Sequence, residues 1–132
     1  MKNSSLLLFI LTICLSLMAF QCDEDDTPLT QEEEREQLNI SKKAIEDLVV
    51  TSVCNENTEC KSIAFGSKPC GGPWSYLIYT TSIDTEKLKL WVEDYNKREA
   101  EFNTQWGAIS DCGITNPPSS INCENNVCIP VY

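Results

Sequence analysis

The sequence predicts a small α+β domain, with two helices packed on a small antiparallel sheet and three disulfides stapling it together. Three observations carry that expectation. Two long segments repeat apolar residues at helical spacing, two short ones have the composition of strands, and six cysteines fall between Cys54 and Cys128. The 132 residues leave room for one domain and little else. Domains of this size often need covalent help to hold a core.

The first helix is expected over roughly 31–52. Thr30 as N-cap with Glu33 three residues on makes a capping box, and acids in the first turn suit the helix dipole. Leu38, Ala44, Ile45, Leu48, Val49 and Val53 then recur at helical spacing. Residues 60–65 alternate, with Lys61, Ile63 and Phe65 on one face, and read as a strand. Residues 66–73 are too rich in Gly and Pro for a ladder and read as a turn. Residues 76–81 are β-branched and aromatic, the composition of a second strand.

The second helix starts at the N-cap Asp84, and Gly107 stands where a C′ glycine is expected. Leu88, Trp91, Val92, Tyr95, Phe102 and Trp106 form one stripe along it. A ligand groove could use such a stripe, but a small core needs the area, because each large aromatic buries about 150–250 Å². The tail from Ser110 reads as loop and hairpin, with Asn125-Asn126 suited to the positive φ of a type I′ turn.

The six cysteines of the domain are Cys54, Cys60, Cys70, Cys112, Cys123 and Cys128, an even number that reads as three disulfides. The competing reading is an all-cysteine zinc cluster. Spacings of 5, 9, 41, 10 and 4 residues lack the paired knuckles of such sites. Cys70–Cys112 is the preferred bridge, tying the turn before the second strand to the segment after the second helix. The other four would share two bridges, joining the tail hairpin to the end of the first helix and the first strand.

The formal charge is −10, unevenly spread. Between Asp23 and Glu36 the local net is −7, with Arg35 the single base; from Gln37 on it is −4. No nucleic-acid partner is expected, since that affinity rests on Lys and Arg neutralising phosphates. Histidine is absent, which removes the usual general base and the commonest metal ligand.

The amino terminus reads as a targeting device. Met1-Lys2-Asn3-Ser4-Ser5 is positive, and residues 6–20 carry no charge. As a helix that apolar run would span about 22 Å, short of the roughly 30 Å hydrocarbon layer, which favours a signal segment over a permanent span. Cys22 follows, and then Asp23-Glu24-Asp25-Asp26. This arrangement resembles the lipoproteins matured by signal peptidase II, although Ala19 stands in the place usually held by Leu, and Phe20-Gln21 replaces the preferred small pair. The resemblance implies a signal peptide over 1–21, cleavage before Cys22 and acyl chains on Cys22 that anchor the chain in a membrane. An acidic tether over 22–30 then leads to a disulfide-rich domain over 31–132. The acids behind Cys22 resemble the surface-export signals of some Gram-negative lipoproteins, implying the outer membrane and the cell surface; a periplasm-facing anchor is the alternative.

Lys68-Pro69-Cys70-Gly71-Gly72-Pro73, Ser110-Asp111-Cys112, and the closing Cys123 and Cys128 resemble small cysteine-rich bacterial envelope proteins of unassigned function. That resemblance implies the disulfide domain and no chemistry.

The candidate binding feature is the 66–73 loop with Lys68, Pro69 and the adjacent Trp74, braced through Cys70. A braced loop loses little entropy on binding, although a plain conformational turn would have the same composition. No catalytic residues are expected. Ser110, Asp111, Lys61 and Lys68 do not assemble into a nucleophile with its base, and the acid pairs Glu93-Asp94 and Glu99/Glu101 fall on the polar side of the second helix. Asp23–Asp26 lack the glycine and spacing of a calcium loop. The expected function is therefore a membrane-anchored binding module engaging a protein or glycan, without metal or cofactor. The alternative is a protease inhibitor presenting the braced loop.

Overall fold

The computed structural model describes residues 28–132. The expected signal peptide, the lipidated Cys22 and the tether up to residue 27 lie outside the described residues. Among the described residues no helix is long and apolar enough to cross a membrane. The elements are α1 (Gln31–Val50), β1 (Cys60–Phe65), β2 (Ser75–Thr80), α2 (Thr85–Gln105), β3 (Ser120–Glu124) and β4 (Val127–Val131).

The capping box at the start of α1 is present. Glu33 N–H donates to Thr30 Oγ1, and Thr30 N–H donates to Glu33 Oε2 at 2.8 Å. The hydrogen bond from the Thr30 backbone holds the Glu33 carboxyl below its ordinary value. The helix stops at Val50, two residues before the expected end. There the Thr51 hydroxyl donates to Leu48 O, and Val53 N–H leaves the helix to donate to Ser82 Oγ. Local caps thus turn the chain toward β2 earlier than the apolar spacing suggests.

Each helix buries one stripe. Leu38 and Ile45 of α1 meet Leu88, Val92, Tyr95 and Phe102 of α2, and Phe65 and Tyr79 complete the core from β1 and β2. The Phe65 and Tyr95 rings stand 4.9 Å apart. Burying side chains of this size contributes about 1.5–3 kcal/mol each. The helices run antiparallel: Arg98 of α2 donates to Ser41 and Gln37 of α1, and Trp106 Nε1 donates to Glu34 Oε2 at 2.7 Å.

Three residues of the expected stripes fall outside the core. Ala44 and Val53 are exposed. Trp91 lies at the margin of α2, partly exposed, with the Lys87 ammonium 4.3 Å from its ring centroid. Its apolar surface is covered by a lysine, which suits the amphipathic indole.

The sheet consists of two separate antiparallel hairpins, β1–β2 and β3–β4. In the first, Cys60 pairs with Thr80 and Phe65 with Ser75. In the second, Asn125 and Asn126 take φ of 50° and 65°, the backbone of the type I′ turn expected there. Cys123 and Cys128 are cross-strand partners, so both point to the same face of the hairpin. Each reaches a different partner: Cys54 bonds Cys123, Cys60 bonds Cys128, and the third bridge is Cys70–Cys112. Disulfides therefore hold the second hairpin against the first where a ladder would have merged them. The sulfurs of Cys54, Cys60 and Cys128 lie within 4.8 Å of one another, and each is consumed in a bridge.

Candidate functional site

The loop between β1 and β2 leaves the ribbon at Gly66, whose φ of +80° suits glycine. A Cβ there would meet Trp74 Cδ1 at 2.6 Å, so the position keeps room for the indole. The loop then folds back on itself: Lys68 N–H donates to Gly72 O and Gly71 N–H to Lys68 O, both at 2.8 Å.

A polar stripe of α2 holds this loop from beneath. Asn96 Oδ1 accepts from Gly66 N–H at 2.7 Å, and Glu99 Oε2 accepts from Ser67 N–H at 2.5 Å. Asn103 Nδ2 donates to Ser67 O at 2.7 Å. The spacing of 96, 99 and 103 sets all three on one face. The other Glu99 oxygen accepts from the Tyr95 hydroxyl at 3.1 Å. Burial first, and then the Glu99 carboxylate, push the Tyr95 hydroxyl far above its ordinary value.

The structure places Lys68 differently from a presented binding residue. It is 8% exposed, and its ammonium donates to Gly113 O at 2.8 Å. It also lies 3.6 Å from Asp111 Oδ1 and 5.3 Å from the centre of the Trp74 ring. An ammonium with three donors satisfies itself inside the loop pair, so Lys68 crosslinks the 66–74 loop to the 108–115 segment beside Cys70–Cys112. Pro69 is half-buried, and Trp74 is 43% exposed. Ser110 Oγ is buried without a hydrogen-bond partner. Lys68 and Ser110 therefore do not form a nucleophile–base pair.

Next to Pro69 and Trp74 lies a groove of about 550 Å³, within the range of about 300–1,000 Å³ typical of ligand sites. One wall is α1, with Arg35, Asn39 and Lys42; the other is α2, with Tyr95, Glu99 and Asn103. Ala108 and Ile109 close one side. Ile109 is 94% exposed and Ile114 88%, on a segment braced by the bridge and by Lys68.

Of the expected site residues, the structure brings Pro69 and Trp74 together at the groove and turns Lys68 inward. Sequence reasoning missed Arg35, Asn39 and Lys42. Their signal was legible in part: Arg35 is the single base in the acidic run, and the spacing of 35, 39 and 42 sets them on one face of a helix. Ile109 and Ile114 carried no local signal.

Comparison of the chain with protein-family models, curated proteins and solved structures returned no match.

Proposed function

We propose that the protein is a lipoprotein of the cell envelope, anchored through acyl chains on Cys22, whose folded domain is a binding module facing outward. The observation that carries the binding part is the groove beside Trp74, whose loop wall is fixed by a disulfide, a buried lysine and three side chains of α2. Fixed walls lose little entropy when a ligand arrives. The acidic run 23–26 supports the surface location, and an even set of oxidised cysteines supports an oxidising compartment.

A second reading, protease inhibition, is favoured by the 108–114 segment, which is braced and carries two nearly uncovered isoleucines. Lys68 is not the inserted residue in that reading, because its ammonium is engaged inside. Titration against serine, cysteine and metallo proteases separates the two: stoichiometric inhibition supports the inhibitor, and none across the classes removes it.

The anchor is tested on intact cells carrying the wild-type chain or Cys22→Ser, with acyl labelling, membrane retention and antibody access read together. Labelled, retained and accessible wild type is expected, with labelling and retention lost in the variant. An unlabelled wild type contradicts the anchor, and a shielded one moves the binding face to the periplasm. For the module, glycan and protein arrays are probed with wild type, Trp74→Ala and Trp91→Ala. Binders lost only with Trp74→Ala are expected; binders indifferent to it contradict the groove.

A further inference from the structure

We infer that the groove takes an acidic oligosaccharide, with Arg35 and Lys42 receiving its anionic groups and Trp74 stacking on a sugar ring. This rests on the reading of the groove as the binding site and adds the class of ligand.

The first observation is the state of Arg35. Its guanidinium sits 5.0 Å over the Phe102 ring, so one face of the plane is held by the aromatic. Among the described residues it makes no ion pair. A guanidinium stacked in this way keeps its in-plane N–H fork for a planar anion, and a carboxylate accepts that fork in bidentate fashion. Lys42, seven residues on, also makes no ion pair among the described residues. The helical rise places the two cations about 10 Å apart along the axis.

The acids nearby reduce the positive charge without removing it: the lining holds two cations, Arg35 and Lys42, against the one carboxylate of Glu99. Glu99 lines the groove, but its oxygens accept from the Tyr95 hydroxyl and Ser67 N–H. Glu34 accepts from Trp106 and Gln105. Glu46 lies one turn past Lys42, close enough to help raise the Tyr95 hydroxyl, and it is not among the groove-lining residues. The groove lining thus carries a small positive excess, set between the acids around Arg35 in the chain and Glu46 beyond Lys42.

The remaining walls suit a sugar better than a peptide. Asn39 stands between the two cations and offers both donors and an acceptor to hydroxyls. Asn103, with its amide N–H₂ bonded to Ser67 O, offers its carbonyl. Trp74 supplies a flat apolar surface at the loop wall. No strand borders the groove, so an extended peptide cannot add to a sheet edge there, and the apolar surface of Leu38 and Phe102 lies among polar and charged side chains from both helices.

The test is calorimetry on the full-length chain in detergent micelles with three probes: tetragalacturonate, uncharged cellotetraose and a tetraglutamate peptide. Tetragalacturonate is expected to bind tightest, and more weakly as salt rises. Arg35→Gln is expected to weaken it by about 10- to 100-fold, the range for hydrogen bonds to a charged group. Lys42→Gln weakens it less, and Trp74→Ala abolishes it. Arg35 and Lys42 are exposed, so the Gln variants keep the fold, which a thermal melt checks. Equal binding of cellotetraose, indifferent to Arg35→Gln but lost in Trp74→Ala, overturns the acidic class and spares the groove. Preference for tetraglutamate overturns the sugar and assigns an acidic peptide. Tetragalacturonate binding that ignores all three variants overturns the groove as well. No binding of any probe overturns the inference, while the Trp74-dependent array result decides the groove separately.

Discussion

At one end of the β1–β2 ribbon, the end of α1 and both hairpins meet around two disulfides, with Cys54 fully buried. At the other end, the 66–74 loop and the 108–115 segment share one bridge, whose two cysteines are exposed. The first end is held by covalent bonds and by apolar surface nearby. The second is held by polar contacts: Lys68 to Gly113, and Asn96, Glu99 and Asn103 to the loop backbone. A polar clamp fixes backbone without consuming apolar side chains. Trp74, Ile109 and Ile114 therefore remain uncovered on a fixed frame, while at the first end Cys54 is fully buried and Val50, Val53 and Val127 stay exposed around the bridges.

Cutting the bridges one at a time separates the two ends most strongly. Sequence separations of 69 and 42 give nearly equal chain-entropy terms, about 4 kcal/mol each. Urea unfolding of Cys54→Ala/Cys123→Ala is expected to show the larger loss, because a buried site is emptied as well. Cys70→Ala/Cys112→Ala is expected to keep the core and lose the binding proposed for the groove. Equal losses would mean that burial at Cys54 contributes nothing.

Lys68→Met comes next. It leaves Gly113 O without its donor and is expected to cost about 1–3 kcal/mol, with proteolytic nicking appearing inside 108–114. Unchanged stability would show that the clamp carries no load. Gly66→Ala forces a Cβ into positive φ, a cost of about 1–2 kcal/mol, and pushes against Trp74. A shift in tryptophan emission that is absent from the parallel Trp74→Phe/Gly66→Ala chain would locate the strain at that ring.

The smallest effect is a pH dependence. The folded Tyr95 hydroxyl titrates above its unfolded value of 10.0, so folded and unfolded chains bind equal protons below that pH. Above it the unfolded chain loses the proton first, and stability falls as pH rises. Denaturation curves at increasing alkaline pH should show this extra slope in wild type and not in Tyr95→Phe.

The parts of the molecule legible in the sequence are those decided within a few residues. The Thr30/Glu33 box, the Asp84 cap, the glycine at 107 and the Asn125-Asn126 turn each need only neighbours. The Cys70–Cys112 bridge is the preferred pairing, but six cysteines allow fifteen pairings and only the packed fold chooses among them. Lys68 was not legible, since its burial depends on a carbonyl 45 residues away. Trp91 falls on the apolar spacing of α2, but the docking of α1 leaves it at the margin. The groove was invisible for the same reason: Arg35 and Lys42 meet Trp74 only after two helices and a loop have packed.

The loop end is expected to be fixed in the free protein. Amide hydrogen exchange on the full-length chain tests it directly. The amides of Gly66, Ser67, Lys68, Gly71 and Trp74, all hydrogen-bonded, should be protected nearly as well as those of α2. Lys68→Met should release those of Lys68 and Gly71 and leave β3–β4 unchanged. Rapid exchange of all five in the wild type would contradict the claim, because the groove would then have no fixed loop wall.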